Sequence, residues 1–174
     1  AKRGYHHGNL RQELVEASLK LIEEKGPTGF TLSEAAREAG VTPAAVYRHF
    51  EGRESLIAEV AKQGYAIFGD LMEHAYETGG GSAIAAFEAT GRAYLAFARK
   101  YPGYYQAMFE CGLSLSLDPD LAQGAARAQA ALERAAAGLA ERLPPEKRPP
   151  AAMFSAPTSP SNCSHTGFIA STHA

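Results

Sequence analysis

The sequence predicts an all-α protein, and three observations carry that prediction. Apolar residues recur at the three- and four-residue spacing of a helix face in one segment after another. Helix-start signals stand ahead of those segments, clearest at Thr31 with Glu34 three residues on, at Thr42-Pro43 and at Asp118-Pro119. No stretch alternates apolar and polar residues with the period of two that a half-buried strand requires.

The elements follow in order. "NLRQELVEASLKLIEEKG" is the first helix, with Asn9 as its cap and Gln12 completing a capping-box pattern. Leu10, Leu14, Ala17 and Leu21, with Ser18 and Ile22, form its apolar face, and Gly26-Pro27 stops it. Thr31 caps a short second helix that ends at Gly40. Thr42 caps a third, with Pro43 at its first position, where a missing N–H costs nothing, and this helix is expected to run to about Phe50. A long fourth helix begins near Arg53, with Leu56, Ile57, Val60, Phe68 and Leu71 on its apolar face. "ETGGGSA" is a flexible joint: no strand precedes its glycines and no Lys-Ser/Thr follows, so it is not a phosphate cradle. A helix from about Ser82 to Lys100, a short aromatic helix after Pro102-Gly103, and an alanine-rich helix from Pro119 to about Leu143 complete the set.

Bulk properties bound the function. With 174 residues and 45% apolar content the chain can bury a real core. No apolar run approaches the roughly 20 residues needed to span a bilayer, so no membrane role and a cytoplasmic location are expected. Cys111 and Cys163 match no metal-binding spacing, and His6-His7 lacks further ligands, so no metal or other cofactor is expected. The acidic and basic residues do not converge into an acid, base or nucleophile set, so the chain is not expected to be an enzyme. A formal net charge of -2 argues against bulk packaging of nucleic acid. Residues 1 to 12 nevertheless hold Lys2, Arg3 and Arg11 with no carboxylate, an arm that is either a solvated terminus or phosphate-seeking. The last 24 residues, 151–174, contain no Lys, Arg, Asp or Glu and read by composition as an irregular polar tail.

Two short helices joined by a tight turn impose three demands. The crossing needs a small residue, the turn needs tolerance of positive φ, and the second helix must bury an aliphatic side chain. Ala36, Gly40 and Val46 meet them at spacings of four and six. An ordinary α-hairpin would meet them too. The outward set Thr42, Ala44, Tyr47 and Arg48, mixing small, aromatic and cationic groups, suits a helix entering the major groove.

"GFTLSEAAREAGVTPAAVYRHFEGRESLI", with the helix before it, resembles the DNA-binding domain of the TetR/AcrR family of bacterial transcriptional regulators, over about residues 8 to 57. The resemblance implies a domain division. Residues 1–52 would be a three-helix helix-turn-helix DNA-binding domain with its basic arm, and 53–150 a helical-bundle regulatory domain. It implies that Thr31 meets a backbone phosphate, that Tyr47 and His49 contact phosphates, that Arg53 clamps the flank, and that Phe50 is core. Base reading would fall to Thr42, Pro43, Ala44 and Arg48. Of these only Arg48 can make a bidentate contact to guanine, worth about 1–3 kcal/mol of discrimination; it could instead meet only a phosphate. His49 has the alternative of a buried, hydrogen-bonded histidine. A reading helix this short covers few base pairs, so a palindromic double-stranded operator and a homodimer follow together, with half-sites about 34–36 Å apart.

The remainder resembles the family's regulatory domain more loosely, "YLAFARKYPGYYQAMFE" matching a subgroup that often carries Trp-His-Gly near its end. Phe68, Met72, Phe87, Tyr94 and Phe97 supply one half of an aromatic set, and Tyr104, Tyr105, Met108 and Phe109 the other. At helical spacing such residues form plain core as readily as a pocket. Family behaviour implies a cavity for a small hydrophobic or aromatic effector, whose binding releases a repressor from its operator. The chain has no Trp, and its polar tail stands where relatives place the final dimer-forming helices: it is either divergent, or altered or truncated. Leu121, Leu132 and Leu139 are left as possible dimer contributors. The rival reading is a helical adaptor that binds only protein.

Overall fold

The structure, a computed structural model, describes residues 9–115 and 118–149. The expected tail, and the arm residues Lys2 and Arg3, lie outside the described residues. Within them the chain is helical throughout: α1 (Leu10–Lys25), α2 (Leu32–Glu38), α3 (Pro43–Val46), α4 (Arg53–Thr78), α5 (Ala83–Lys100), α6 (Pro102–Phe109) and α7 (Pro119–Ala140), then a 3-10 turn at Pro145–Lys147.

α1 buries Leu14, Val15, Ala17, Ser18, Leu21 and Ile22, and the Ser18 hydroxyl is satisfied by donating to the Leu14 carbonyl at 2.8 Å. Gly26, at φ 79°, closes the helix with its N–H on the Ile22 carbonyl. The Asn9 capping box does not form: its side chain makes no cap hydrogen bond, and its backbone (φ -137°, ψ 23°) lies outside the extended region that aims an Asn side chain at the first turn.

α4 is the spine, and α1, α5, α6 and α7 all pack on it. Small residues set the approach distances. A Cβ on Gly64 would stand 2.6 Å from the Met108 sulfur, so glycine there lets α6 lie against α4. α7 comes down on α4 through buried Leu121, Ala128 and Ala131. Arg127 of α7 reaches Asp70 and Glu73 of α4, both at 2.6 Å. One continuous core runs from Val46 and Phe50 to Leu121 and Ala131, so α4 packs with the short N-terminal helices and with the later helices alike.

Two expected faces are corrected. Leu71 is 36% exposed and Met72 beside it is buried: position 71 falls within the stripe set by 57, 60 and 68, but Met72 is the side chain that the packed helices cover. Leu121 is sealed in the core of its own chain and so is not free to meet another copy, whereas Leu132 and Leu139 are half-buried.

Candidate nucleic-acid interface

The site starts from α2. Its capping box is complete: the Glu34 N–H donates to Thr31 Oγ1 at 3.2 Å, and the Thr31 N–H donates to Glu34 Oε2 at 2.8 Å. Lys25 Nζ adds a bond to the same carboxylate at 2.6 Å. The Lys25 hydrogen bond, then those from Thr31, hold the Glu34 carboxyl down at about 2. The other end is a Schellman closure. Gly40 stands at φ 72°, its N–H donates to the Arg37 carbonyl at 3.1 Å, and the Val41 N–H reaches the Ala36 carbonyl at 2.9 Å. Nothing lies within 4 Å of where a Gly40 Cβ would be, so the demand for glycine there is purely one of backbone conformation.

α3 is shorter than expected. Its α-helix ends at Val46, after which the His49 N–H turns back to the Val46 carbonyl at 2.9 Å, and Phe50 does the same at 3.0 Å. Thr42 makes no side-chain cap hydrogen bond; Pro43 occupies the first turn as expected. Val46 and Phe50 are buried under the neighbouring helices with Ala36, the packing that the spacing of four and six required.

That burial leaves Thr42, Pro43, Ala44, Tyr47, Arg48 and His49 exposed, with Tyr47 at 61% of its free surface. His49 is therefore not a buried histidine. Tyr47 also lines an open cleft of about 560 Å³ that holds Thr31 at the start of α2 and Arg53 at the start of α4. Three residues distant in sequence thus share one surface. Arg53 is already engaged, its NH1 donating to the Thr28 carbonyl at 2.7 Å, which ties the start of α4 to the loop before α2. The Thr31 hydroxyl is likewise committed, donating to Glu34 at 3.0 Å. Glu51 lines the same cleft and puts a carboxylate beside these groups.

One residue that sequence reasoning left in the basic arm turns out to be structural to the site. The Arg11 guanidinium lies 4.8 Å from the Phe50 ring centroid, donates to the His49 carbonyl at 3.3 Å, and pairs with Glu59 at 2.7 Å. Its partners are 38 and 48 residues away, so no local pattern could have pointed to them.

The aromatic set converges on α4, α5 and α6. Phe68 stands edge-on to Tyr94 at 5.4 Å and to Phe109 at 6.1 Å, and tilted on Phe97 at 4.9 Å; Phe109 also packs on Tyr105 at 5.0 Å. Met72 and Met108 are buried with them and Tyr104 is half-buried. Phe87 is the exception: it is 42% exposed on the outer side of α5, the side that also shows Ile84 and Leu95. Burial pushes the Tyr94 hydroxyl well above the usual tyrosine value, so it stays protonated and able to donate. Neither the cleft above nor a second one of about 340 Å³, lined by Tyr76, Gly80, Ser82, Ala86 and Gly138 among others, reaches the aromatic set.

Among the described residues no helix is long and apolar enough to cross a membrane, and no group of three or more His, Cys, Asp or Glu could hold a metal ion.

Residues 14–60 match the family model described as bacterial regulatory proteins, tetR family, and residues 87–159 match the tetracyclin repressor-like, C-terminal domain. The YobS protein of Bacillus subtilis (strain 168), named as an uncharacterized HTH-type transcriptional regulator, is 29% identical over 101 residues, 58% of this chain and 51% of that protein. The chain thus spans about half the length of this curated relative. A protein of unknown function from Rhodococcus sp. RHA1 superimposes with a TM-score of 0.68 at 26% identity, over 88% of this chain and 80% of that one. The TetR-family regulator PfmR of Thermus thermophilus shares the fold, with a TM-score of 0.62 at 20% identity, over 74% of this chain and 71% of its own. Two family models, one on the reading helices and one on the helical body, together take in well over half the sequence, and the chain belongs to the TetR family of helix-turn-helix transcriptional regulators.

Proposed function

We propose that the chain is a DNA-binding repressor that reads a palindromic operator as a homodimer and is released by a small hydrophobic or aromatic effector. The observation that carries the DNA reading is the outward face of α3. Val46 and Phe50 are buried, while Thr42, Pro43, Ala44, Tyr47, Arg48 and His49 all stand in solvent on one short rod. In this reading Arg48 meets a guanine edge, the Thr42 and Ala44 methyl groups meet thymine, and Tyr47, His49 and Arg53 meet phosphates. Residues 1–52 form the reader, with Lys2 and Arg3 adding phosphate contacts. Residues 53–150 form the regulatory body of a cytoplasmic protein that acts by binding and not by catalysis.

The effector reading rests on the ring cluster of α4, α5 and α6. The rings pack directly on one another, so an effector seated among them spreads them, and that displacement moves α4, the helix shared with the reader. Coupling of about 1–3 kcal/mol between the two sites changes operator affinity 5- to 150-fold. Gln106 Oε1, on α6 beside Tyr105, is buried without a hydrogen-bond partner and offers an acceptor to a polar group on such a ligand.

The test is selection of bound duplexes from a random pool at moderate salt. A symmetric motif is expected, with half-sites about one helical turn apart and affinity that falls steeply with salt as counterions are released. Enrichment of no motif, or binding indifferent to salt, rejects the reading in favour of a protein-only adaptor.

A further inference from the structure

The recognition rod cannot hold itself. α3 is a single α-helical turn without a side-chain cap, and its last N–H groups fold back on one carbonyl. At that end the Arg11 guanidinium contacts three groups at once. It comes from the first turn of α1, lies over the Phe50 ring, donates NH1 to the His49 carbonyl and donates NH2 to Glu59 of α4. Cationic side chains at a helix C-terminal end satisfy carbonyls that the helix leaves open. A planar guanidinium can do so while stacked and paired, which an ammonium cannot.

Glu59 is where the contacts meet. Its carboxylate also takes Lys62 at 3.3 Å and the Gln63 amide at 3.4 Å. Gln63 bonds Gln12 of α1 at 3.1 Å and accepts from the Tyr104 hydroxyl of α6 at 3.4 Å. Lys62 lies 3.6 Å from Asp118 and 3.7 Å from Asp120, at the start of α7, where Asp118 caps the helix through the Asp120 and Leu121 N–H groups. A polar chain therefore runs from the end of the reading helix, through Arg11 and Glu59, to α6 and α7 of the body. Burial pushes the Glu59 carboxyl up, but the bonds from Arg11, Gln63 and Lys62 outweigh it and hold the group ionised.

We infer that Glu59 is a positioning residue for DNA reading: it contacts no DNA, and it fixes the reading helix by orienting Arg11 against His49 and Phe50. The inference rests on the DNA-reading function proposed above. It makes a prediction opposite in sign to simple electrostatics. Removing a carboxylate from a DNA-binding protein should raise affinity for the polyanion. Here Glu59→Gln should lower it, and only for the cognate sequence.

The test measures the full chain and its Glu59→Gln variant against the duplex recovered by selection and against a scrambled duplex of equal length. Amide exchange is followed on the free proteins. The expected result is a loss of about fivefold or more on the selected duplex, no loss on the scrambled one, and faster exchange at His49 and Phe50 with Ala39 and Val41 unchanged. Equal or tighter binding of the selected duplex, equal losses on both duplexes, or unchanged exchange at His49 and Phe50 would each overturn the inference. If Glu59→Gln does not fold, Arg11→Lys is read against the same outcomes, because it keeps the charge and loses the planar fork. A wild-type chain that enriches no duplex sinks the DNA reading itself, and with it this inference; that failure is seen before any variant is made.

Discussion

The two helices of the reader are built in opposite ways. α2 has seven residues yet carries its own stabilising devices, a complete capping box and a glycine closure, to which α1 adds ion pairs from Lys25 to Glu34 and from Lys20 to Glu38. α3 has four α-helical residues, no side-chain cap, and an outer face committed to Thr42, Ala44, Tyr47 and Arg48. A helix that short is not stable by local propensity. It is held from outside, by Val46 and Phe50 in the core and by Arg11 at its end. The element offered to a partner thus has its surface free because other parts of the chain fix its conformation.

That contrast can be broken from either side. The largest effect is expected from Phe50→Ala, which removes a buried ring and the platform for Arg11. It should cost about 3–5 kcal/mol in chemical denaturation, with operator affinity falling further than the stability loss explains. Gly40→Ala at the shared turn should cost about 1–2 kcal/mol, because φ 72° penalises a Cβ even in open space; Gly40→Asn should cost less, and thermal unfolding of the pair ranks them. Thr31→Ala strikes the local cap of α2 and should cost about 1 kcal/mol, with exchange rising in the first turn of α2 and not at His49.

The smallest effect is pH-dependent. Glu34 is held at about 2, below its ordinary value of 4.5, so the stability its charge contributes is present above about pH 4.5 and is lost as the pH falls through about 2. Glu34→Gln keeps the cap but not the charge. Its midpoint should lie below wild type at neutral pH, and the gap should close on acidification. A gap independent of pH would show that the Lys25 pair contributes nothing.

Much of this was legible in the sequence, and the pattern of misses has a physical cause. Thr31–Glu34, Ser82, Asp118 and Gly40 were readable because each signal and its partner lie within a few residues. The same logic erred at Asn9, where the residue type was right and the backbone was not. It erred again at the end of α3, where tertiary contacts tighten the turn after Val46. Leu71 and Phe87 sat close to apolar stripes and were assigned inward, but a side chain's burial depends on which neighbour lies over it. The roles of Arg11 and Glu59 were invisible because their partners come from other helices.

Taken alone, the sequence determined the number and order of the helices among the described residues, the turn at Gly40 and which face of α3 must be buried, because helix period, capping and positive φ are local properties of the chain. Only the tertiary structure decided that Thr31, Tyr47 and Arg53 share one cleft, that the aromatic rings close on one another, and that one guanidinium joins α1, the reading helix and α4. Those depend on distances between segments dozens of residues apart, which become defined only when the apolar faces have packed.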